Sequence, residues 1–448
     1  MSAQHSYHTH PRKPRILTPP EVKAHQPFTG ICAEDTEGAL DRAKQRMQVA
    51  GVWSENQVLG QGYPIGCVAV EITQRCNLDC TLCYLSEMSE STKDIPLEEI
   101  FRRIESIKHH YGPGTDVQIT GGDPTLRKRS ELVEIVRRVK QIGMRPTLMT
   151  NGIAATRDLL TELCGAGLQD VAFHVDLTEE RKGYRTETEL NRLRLQYIDR
   201  ARGLPLHVIF NTTVFEGNID EIPELIRFFR DNADVVGMAS FQLQADTGRG
   251  KLRQRANEVS LESVVSLIQD GAGTKISFDT IRIGHPSCHR YGLTLAVNGK
   301  LYEFWDEPDF FNAVINKSST LKFDRARPIP SVWKVIKWAW TTPGVLGPGF
   351  RFACRKLWSM RTDLFRAKGR VRKLSFFVQN FMDASSLEAD RIHACSFMVM
   401  TAQGPISMCM HNAKRDDYIL QPVKVGGLSP AVWNPLTGKT ETTTDHNY

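Results

Sequence analysis

The chain has 448 residues, of which 41% are hydrophobic and 24% charged, and its formal net charge is +6. This is the composition of a globular protein with enough apolar material for a core, which excludes a largely disordered chain. No apolar run reaches the roughly 18 residues that a membrane-spanning helix needs, and the first residues lack the apolar stretch of a secretory signal. The positive charge is too small to indicate nucleic-acid binding, so we expect no nucleic-acid partner. Since neither a spanning helix nor a secretory signal is predicted, we expect the protein to be cytoplasmic.

The chain has ten cysteines, which could form disulfides, bind metal or act as catalytic thiolates. Without a secretory signal, a framework of disulfides is not expected. Metal-binding or catalytic thiolates are the better interpretation, and the spacing of the cysteines must decide between them.

The central part of the chain alternates between strand-like and helical patterns. Apolar strand-like runs lie at 67–72, 117–120, 145–150, 170–175, 206–214 and 236–244. Helical patterns lie between them, at 96–109, 130–141, 156–166, 187–202 and 219–230. Six strands alternating with helices predict an α/β fold with a parallel sheet, open or curled into a partial barrel. In such a sheet, functional side chains collect after the carboxyl ends of the strands.

The alternation stops near residue 280. Residues 293–305 predict a hairpin with Asn298-Gly299 as a type I′ turn, 331–380 look helical and basic, and 395–410 predict a second hairpin. The chain therefore divides into four predicted segments. They are an N-terminal arm and helix at 1–60, a core domain at 61–282, an accessory region at 283–424, and a loose tail at 425–448.

Three cysteines follow the first predicted strand directly. Cys76, Cys80 and Cys83 form the pattern C-x3-C-x2-C on one short loop. Soft thiolate ligands this close together suit zinc or an iron–sulfur cluster. Structural zinc sites usually use four ligands in two separated pairs. Three ligands would leave one iron of a [4Fe–4S] cluster open, and an open position is what catalysis needs.

This cysteine loop resembles the signature of the radical S-adenosylmethionine (SAM) superfamily. The resemblance implies a (βα)6 partial TIM-type barrel in which Cys76, Cys80 and Cys83 hold a [4Fe–4S] cluster and SAM binds the open iron. It also implies reductive cleavage of SAM to a 5′-deoxyadenosyl radical, with a low-potential electron donor of the ferredoxin or flavodoxin type. Members often carry an aromatic residue just before the third cysteine. Here Leu82 has that place and Tyr84 follows, so Tyr84 is the candidate for the cofactor contact.

Two further motifs follow the second and third strands. Gly121, Gly122 and Asp123 resemble the GGE motif that binds the amino group of SAM in the superfamily, although alone these residues would form an ordinary turn. The two glycines would let the backbone approach a ligand closely. Thr150 and Asn151, followed by glycine, resemble the segment that lies beside SAM.

The fourth strand ends in His174 and Asp176, where relatives often carry Ser-x-Asp. His174 is either a hydrogen-bonded barrel histidine or a contact to SAM. Asp176 is either a polar contact to SAM or substrate, or the N-cap of the following segment. Arg249, after the sixth strand, is expected either to pair with a ligand carboxylate or phosphate or to form a surface salt bridge.

A closer resemblance covers about 118–250 and is carried by five segments: GGDPTLR, MTNGIA, AGLQDVAFHVD, FNTTVFEGN and the sixth-strand segment SFQ…DTGR. Together these are similar to the radical SAM subgroup of archaeal tetraether lipid synthases, which also includes enzymes described as pterin methylases. The resemblance implies a lipid chain as substrate and C–C coupling or methylation at an unactivated carbon.

Four cysteines lie beyond the predicted barrel. Cys395 and Cys409, with a glycine at 404 between them, resemble the hairpin of SPASM/twitch auxiliary-cluster domains. The resemblance implies that Cys288, Cys354, Cys395 and Cys409 hold a second, auxiliary [4Fe–4S] cluster. The alternative is that some are buried free thiols, since cysteine is a common core residue. The remaining isolated cysteines, which we interpret as structural, are Cys32, Cys67 and Cys164.

Residues 325–373 form a basic segment with 13 Lys and Arg, a single acid (Asp363), and four of the seven tryptophans. Basic charge interleaved with tryptophan is typical of a segment lying on an anionic membrane surface. A solvated basic helix face is the plainer alternative, and nucleic acid would give a similar charge signal. We therefore expect peripheral contact with anionic lipid at the inner membrane surface.

Together these features predict a radical SAM enzyme that abstracts hydrogen from an unactivated carbon, with a lipid chain as the leading substrate. An enzyme modifying a peptide or small molecule is the second hypothesis. A non-catalytic iron–sulfur sensor or scaffold is the third.

Overall fold

The computed structural model describes residues 14–28, 38–252, 258–317, 328–426 and 431–442. Most of its strands belong to one eleven-stranded sheet. These strands are β1 (Cys67–Thr73), β2 (Asp116–Gly121), β3 (Arg145–Thr150), β4 (Asp170–His174), β5 (His207–Val214), β6 (Val236–Leu243), β7 (His289–Val297), β8 (Lys300–Glu303), β9 (Arg372–Asn380), β10 (Phe397–Thr401) and β11 (Gly404–Ser407).

The first six strands form the predicted barrel core. They pair in chain order and all pairs are parallel. The helices of the N-terminal part and of the crossovers are α1 (Pro19–Ala24), α2 (Ala39–Val49), α3 (Leu97–Tyr111), α4 (Arg129–Gln141), α5 (Arg157–Ala166), α6 (Glu187–Ala201), α7 (Ile222–Asp231) and α8 (Leu261–Ala272). This confirms the α/β class and the (βα)6 barrel.

The hydrophobic pattern explains why these segments pack as they do. Every residue of β1 is buried, as expected for a parallel strand covered on both faces. In α3, Ile100, Ile104 and Ile107 are fully buried at helical spacing and face the sheet. The crossover helices therefore cover the outside of the barrel and leave its lumen to the inward-facing strand residues.

Two strands from the C-terminal part extend the barrel. β9 lies parallel beside β6, and β10 lies parallel beside β1, so that eight neighbouring strands are parallel. The prediction of helix to residue 380 was therefore wrong at its end, because Leu374–Val378 form a continuously buried strand. The boundary at 282/283 stays a prediction, but strands from both sides of it share one sheet.

Both predicted hairpins are present. β7 and β8 pair around Asn298 and Gly299, whose φ values of 51° and 73° are those of a type I′ turn. β10 and β11 form the second hairpin. The helices of this part are α9 (Pro308–Lys317), α10 (Pro328–Thr341), α11 (Leu346–Arg366), α12 (Ala389–His393), α13 (Met408–Ala413) and α14 (Asp416–Ile419).

The two sides of the curled sheet meet through side chains, at a contact that we call the seam. The rings of Phe377 on β9 and Phe397 on β10 are 5.8 Å apart. His289 on β7 lies 4.9 Å from the Phe397 ring, and its Nε2 is 2.7 Å from the Ser396 hydroxyl. The seam therefore closes the barrel between β9 and β10 by aromatic packing.

Among the residues that the structure describes, parts of the N-terminal arm and of the tail predicted to be loose are ordered. Two strands of a small sheet, β13 (Ala431–Trp433) and β14 (Thr440–Thr442), lie in the segment expected to be loose, with β12 (Val423–Val425) at its edge, and Trp433 is buried there. In the arm, Leu17 N donates to the Leu387 carbonyl at 2.8 Å. Cys32 lies outside the described residues. No helix in the described ranges is both long and apolar enough to cross a bilayer.

Candidate functional site

The candidate site is a cavity of about 420 Å³ inside the barrel. One end is formed by the loop after β1 and by the carboxyl ends of the strands, where the sequence predicted it. The other end is formed by charged residues at the first positions of β2 to β5: Asp116, Arg145, Asp170 and His207. The lumen therefore runs the length of the strands.

Cys76, Cys80 and Cys83 line the first end of the cavity. Their loop is held to neighbouring strand ends by main-chain hydrogen bonds. Thr81 N donates to the Thr178 carbonyl at 2.9 Å, and Gly250 N donates to the Cys83 carbonyl at 3.3 Å. The loop is therefore fixed from two sides of the barrel.

Arg249 also holds this loop. Its guanidinium lies 2.7 Å from Asp79 and 2.8 Å from Glu90, and its backbone N donates to the Leu85 carbonyl at 3.0 Å. Of the two predicted roles for Arg249, the structure shows the salt bridge, and its partners are one carboxylate of the cysteine loop and one of the turn that follows it.

The three thiols fit an iron–sulfur cluster better than a single metal ion. Among the described residues, no three His, Cys, Asp or Glu side chains converge closely enough to bind one ion. A tetrahedral zinc site requires that convergence, whereas a [4Fe–4S] cluster takes each thiolate at a different iron. Burial raises the pKa of all three thiols, so they become thiolates readily only when a cationic group binds them.

The two glycines after β2 are needed for close packing of the backbone. Gly121 has φ 127°, and a Cβ there would lie 1.9 Å from the Thr73 carbonyl oxygen. A Cβ on Gly122 would lie 2.1 Å from the Arg75 carbonyl oxygen. Both glycines line the cavity, but the backbone atoms that they approach belong to the last residue of β1 and to the segment just after it.

Asp123 lies behind the cavity wall and is 1% exposed. Its carboxylate accepts hydrogen bonds from Asn151 N at 2.9 Å, from the Thr150 hydroxyl at 2.8 Å and from Thr125 N at 2.9 Å. It therefore joins the turn after β2 to the turn after β3. In this arrangement Asp123 positions the site, and the contact to SAM predicted for it stays a prediction.

Asn151 and Tyr84 connect the strand ends to the cysteine loop, and both line the cavity. Asn151 Nδ2 donates to Asn77 Oδ1 at 2.6 Å and lies 3.9 Å from Cys76 Sγ. The Tyr84 hydroxyl donates to the Gly121 carbonyl at 2.6 Å. Thr150, which the sequence grouped with Asn151, also lines the cavity.

His174 faces the cavity and Asp176 is buried behind it. Asp176 is the N-cap of the turn Leu177–Glu179 and accepts from Thr178 N at 2.9 Å, which confirms the capping alternative. Its Oδ2 lies 2.8 Å from His174 Nε2. Burial alone would lower the pKa of His174, but the Asp176 carboxylate outweighs it and raises the pKa to about 9. A protonated imidazole therefore faces the cavity at neutral pH.

The charged pairs in the site were not predicted from the sequence, and besides those at the far end of the lumen there are two nearer the cysteine loop. Arg415, from the C-terminal part, lies 2.7 Å from Glu71 on β1, and both line the cavity. Burial alone would raise the pKa of Glu71, but Arg415 holds it below its usual value. The available signal was Glu71 itself, a charge in an otherwise apolar strand that must have a partner.

The second missed pair is Glu179 and Arg181, whose Nε donates to Glu179 Oε2 at 2.6 Å. Glu179 lines the cavity, and burial raises its pKa to about 7 in spite of the arginine. A carboxyl group that can hold a proton near neutral pH therefore faces the cavity close to the cysteine loop.

The auxiliary cysteines separate into two sets. Cys288, Cys395 and Cys409 are buried, whereas Cys354 is exposed on α11. The three buried thiols contact protein groups: Arg391 Nε donates to Cys288 Sγ at 3.2 Å, Cys395 Sγ donates to the Phe397 carbonyl at 2.8 Å, and Met382 N donates to Cys409 Sγ at 3.4 Å. The structure therefore does not bring Cys354 into the group predicted for it, because that cysteine lies on the outward face of its helix.

Comparison with known proteins finds similarity in the part of the chain that surrounds the cavity. Residues 70–229 match the family model of the radical SAM superfamily. The chain is 28% identical over 216 residues to the PqqA peptide cyclase of Bradyrhizobium diazoefficiens, covering 47% of this chain and 55% of that protein. It is 32% identical over 176 residues to the GTP 3′,8-cyclase of Marinobacter nauticus, covering 38% of this chain and 52% of that protein.

A third relative is the 7,8-dihydro-6-hydroxymethylpterin dimethyltransferase of Methanocaldococcus jannaschii, which is 30% identical over 187 residues. That match covers 40% of this chain and 36% of the relative. The chain thus spans about half the length of the two cyclases and about a third of the dimethyltransferase. Their names differ in substrate and in reaction, and what they share with this chain is limited to the aligned segments.

Proposed function

We propose that this radical SAM enzyme reductively cleaves SAM and abstracts hydrogen from an unactivated carbon of a lipid chain, for C–C coupling or methylation. The observation that carries the lipid proposal is the apolar wall of the lumen between the cysteine loop and the far end of the barrel. Its residues are Met149, Ala172, Ile209, Met238, Phe377, Phe397 and Val399.

The dimensions of this wall suit a hydrocarbon segment. Asp116 and Gly121, the two ends of β2, both line the cavity, so the lumen extends about 16 Å along the strand. An apolar chain gains free energy when it leaves water for such a wall, and it needs no polar partners there. The closed seam would keep water away from the reacting carbon.

The roles of the chain's own residues follow from the site. Cys76, Cys80 and Cys83 would hold the cluster, which supplies the electron for SAM cleavage when it is bound. Asn151 and Arg249 fix the loop that carries these cysteines. The backbone of Gly121 and Gly122, together with Tyr84, Thr150 and His174, would contact the zwitterionic cofactor. Glu179 can hold a proton near the same end of the cavity.

A small polar molecule is the second candidate substrate. It is favoured by the charged far end of the lumen, where Arg145 pairs with Asp116 and His207 Nδ1 lies 2.9 Å from Asp170. The cyclase and the methyltransferase among the relatives act, by their names, on GTP and on a pterin. A peptide, named for the third relative, is the remaining alternative.

The test combines SAM cleavage with isotope transfer. The purified, reconstituted wild type should form 5′-deoxyadenosine under anaerobic reducing conditions, and the Cys76→Ala/Cys80→Ala/Cys83→Ala variant should form none. Cys164→Ala, a change on α5 away from the cavity, is the matched control and should keep the activity. Product at the wild-type level from the triple variant would overturn the radical SAM assignment for these cysteines.

The substrate is tested by deuterium transfer. With perdeuterated lipid extract as substrate, deuterium should appear in 5′-deoxyadenosine, because the hydrogen comes from the lipid chain. Transfer from a deuterated peptide or nucleotide pool, and none from lipid, would overturn the lipid proposal and leave the enzyme assignment in place.

A further inference from the structure

Helices α10 and α11, between β8 and β9, expose large apolar side chains. On α11, Phe365 is 87% exposed, and on α10 Trp340 is 75% exposed. The other exposed apolar residues on these two helices are Trp333, Ile336, Leu346, Phe350, Leu357 and Trp358. We call this surface the Trp face.

The opposite side of α11 is firmly packed. Phe352, Met360 and Asp363 are buried there, and Asp363 accepts hydrogen bonds from the Tyr302 hydroxyl at 2.6 Å and from Asn298 Nδ2 at 2.8 Å. At about 100° per residue, the exposed stripe of α11 lies across the helix from these residues. A helix fixed through its inner face therefore presents an apolar outer face, the reverse of an ordinary surface helix.

The Trp face is bordered by cations. Lys334, Lys337, Arg351 and Arg366 are exposed on the same two helices and form no ion pair within the described part of the chain. Arg361 stacks on the Trp358 ring, with its guanidinium carbon 4.4 Å from the ring centroid. The acid in this segment, Asp363, is 3% exposed and is held by the β7–β8 hairpin, so it does not reduce the positive charge of the surface.

We propose that the Trp face docks on the surface of an anionic lipid bilayer. Tryptophan and phenylalanine side chains enter the headgroup region, where an amphipathic ring is most stable, while lysine and arginine contact the acidic headgroups. A polyanion such as RNA would use the cations but would not require the apolar stripe to be exposed. Because the Trp face lies outside the lumen, its docking on a bilayer does not depend on the proposed reaction.

The test compares binding of the full-length protein to two kinds of vesicle. Wild type should co-sediment with vesicles of phosphatidylglycerol and phosphatidylcholine, much less with phosphatidylcholine alone, and less at high salt. The variant Lys334→Gln/Lys337→Gln/Arg351→Gln/Arg366→Gln should bind the anionic vesicles at least about a hundredfold more weakly, since each basic side chain near the surface contributes about fivefold. The matched control removes four exposed cations from α3, from α4 and from the residue before α4. This variant, Lys108→Gln/Lys128→Gln/Arg137→Gln/Lys140→Gln, should bind like wild type.

A second variant tests the apolar part of the surface. Trp340→Ala/Trp358→Ala/Phe365→Ala should also lose vesicle binding and the blue shift of tryptophan fluorescence, while thermal stability stays near the wild-type value because all three side chains are exposed. Equal binding to neutral and anionic vesicles, or wild-type binding by the four-cation variant, would overturn the proposal. Binding to RNA without vesicle binding, or burial of the Trp face in a concentration-dependent dimer, would overturn it as well.

Discussion

Asp176 combines two tasks in one buried carboxylate. It caps the turn after β4, and it holds His174 in its protonated form at the edge of the cavity. The sequence placed both residues at a functional strand end and left their roles open. The pairing follows from the turn that brings the carboxylate back under the imidazole, and that geometry is not visible in the residue pattern.

The pair makes the stability of the protein depend on pH. The folded-state pKa of His174, about 9, lies above its ordinary value of 6.5, so the stabilisation is fully present below pH 6.5 and is lost as pH rises through about 9. The pKa of Asp176 is lowered, so the same interaction is also lost when the pH falls far enough to protonate this carboxylate. In Asp176→Asn, the pKa of His174 should fall below 6.5, because burial remains and the carboxylate charge is gone.

Histidine-selective NMR titration measures this pKa directly, and urea unfolding at pH 6.5 and pH 9.5 measures its effect on stability. His174→Gln is the matched variant, and it should abolish the same pH-dependent part of the stability. An unchanged pKa of His174 in Asp176→Asn would contradict the pairing.

The contact between Arg415 and Glu71 could not be predicted from the sequence. The cysteine loop and the turns after β2 and β3 were found because their chemistry is carried by neighbouring residues. Glu71 and Arg415 lie in β1 and in the C-terminal part, and their contact exists only when both pack against the same lumen. A buried charge in a strand predicts a partner but does not identify it.

Among the elements, the six core strands and the five helices between them were predicted within a few residues, whereas α8 was not predicted. β9 was missed because it directly follows a long basic helical segment, and its own pattern is a short buried run that resembles a buried helix turn. The small sheet around Trp433 was missed because its strands have three residues each and show no periodicity. In both cases, contacts with distant elements decide the structure.

The prediction of an auxiliary cluster depends on Cys395 and Cys409, which flank the β10–β11 hairpin. If two [4Fe–4S] clusters are present, the reconstituted wild type should hold about eight irons, and Cys395→Ala or Cys409→Ala should hold about half of them. Cys354→Ala is the control and should leave the iron content unchanged, since that thiol is exposed on α11. Iron assay together with electron paramagnetic resonance checks both expectations, and an iron-free Cys76→Ala/Cys80→Ala/Cys83→Ala variant would rule out the second cluster.

For the whole molecule, the seam between β9 and β10 determines how the barrel is closed. Phe397 contacts both Phe377 and His289 there, so Phe397→Ala should remove packing from two sheet regions at once. We expect a loss of about 2–4 kcal/mol in the free energy of unfolding, typical of a large aromatic side chain removed from a packed site.

Denaturant unfolding monitored by circular dichroism measures this loss. Phe365→Ala is the matched control: it removes the same side chain from an exposed position and should change stability by less than about 0.5 kcal/mol. Equal stability of the two variants would show that the seam contributes little to holding the barrel closed.

The placement of β9 and β10 also has a consequence for synthesis. β1 and β6 are complete by residue 243, but the strands that cover their outer sides are made only from residue 372 onward. Until then, the nascent six-stranded sheet presents two unpaired edges of buried, apolar strands, the kind of surface that pairs with other chains. A chain interrupted before residue 372 should therefore accumulate as aggregate.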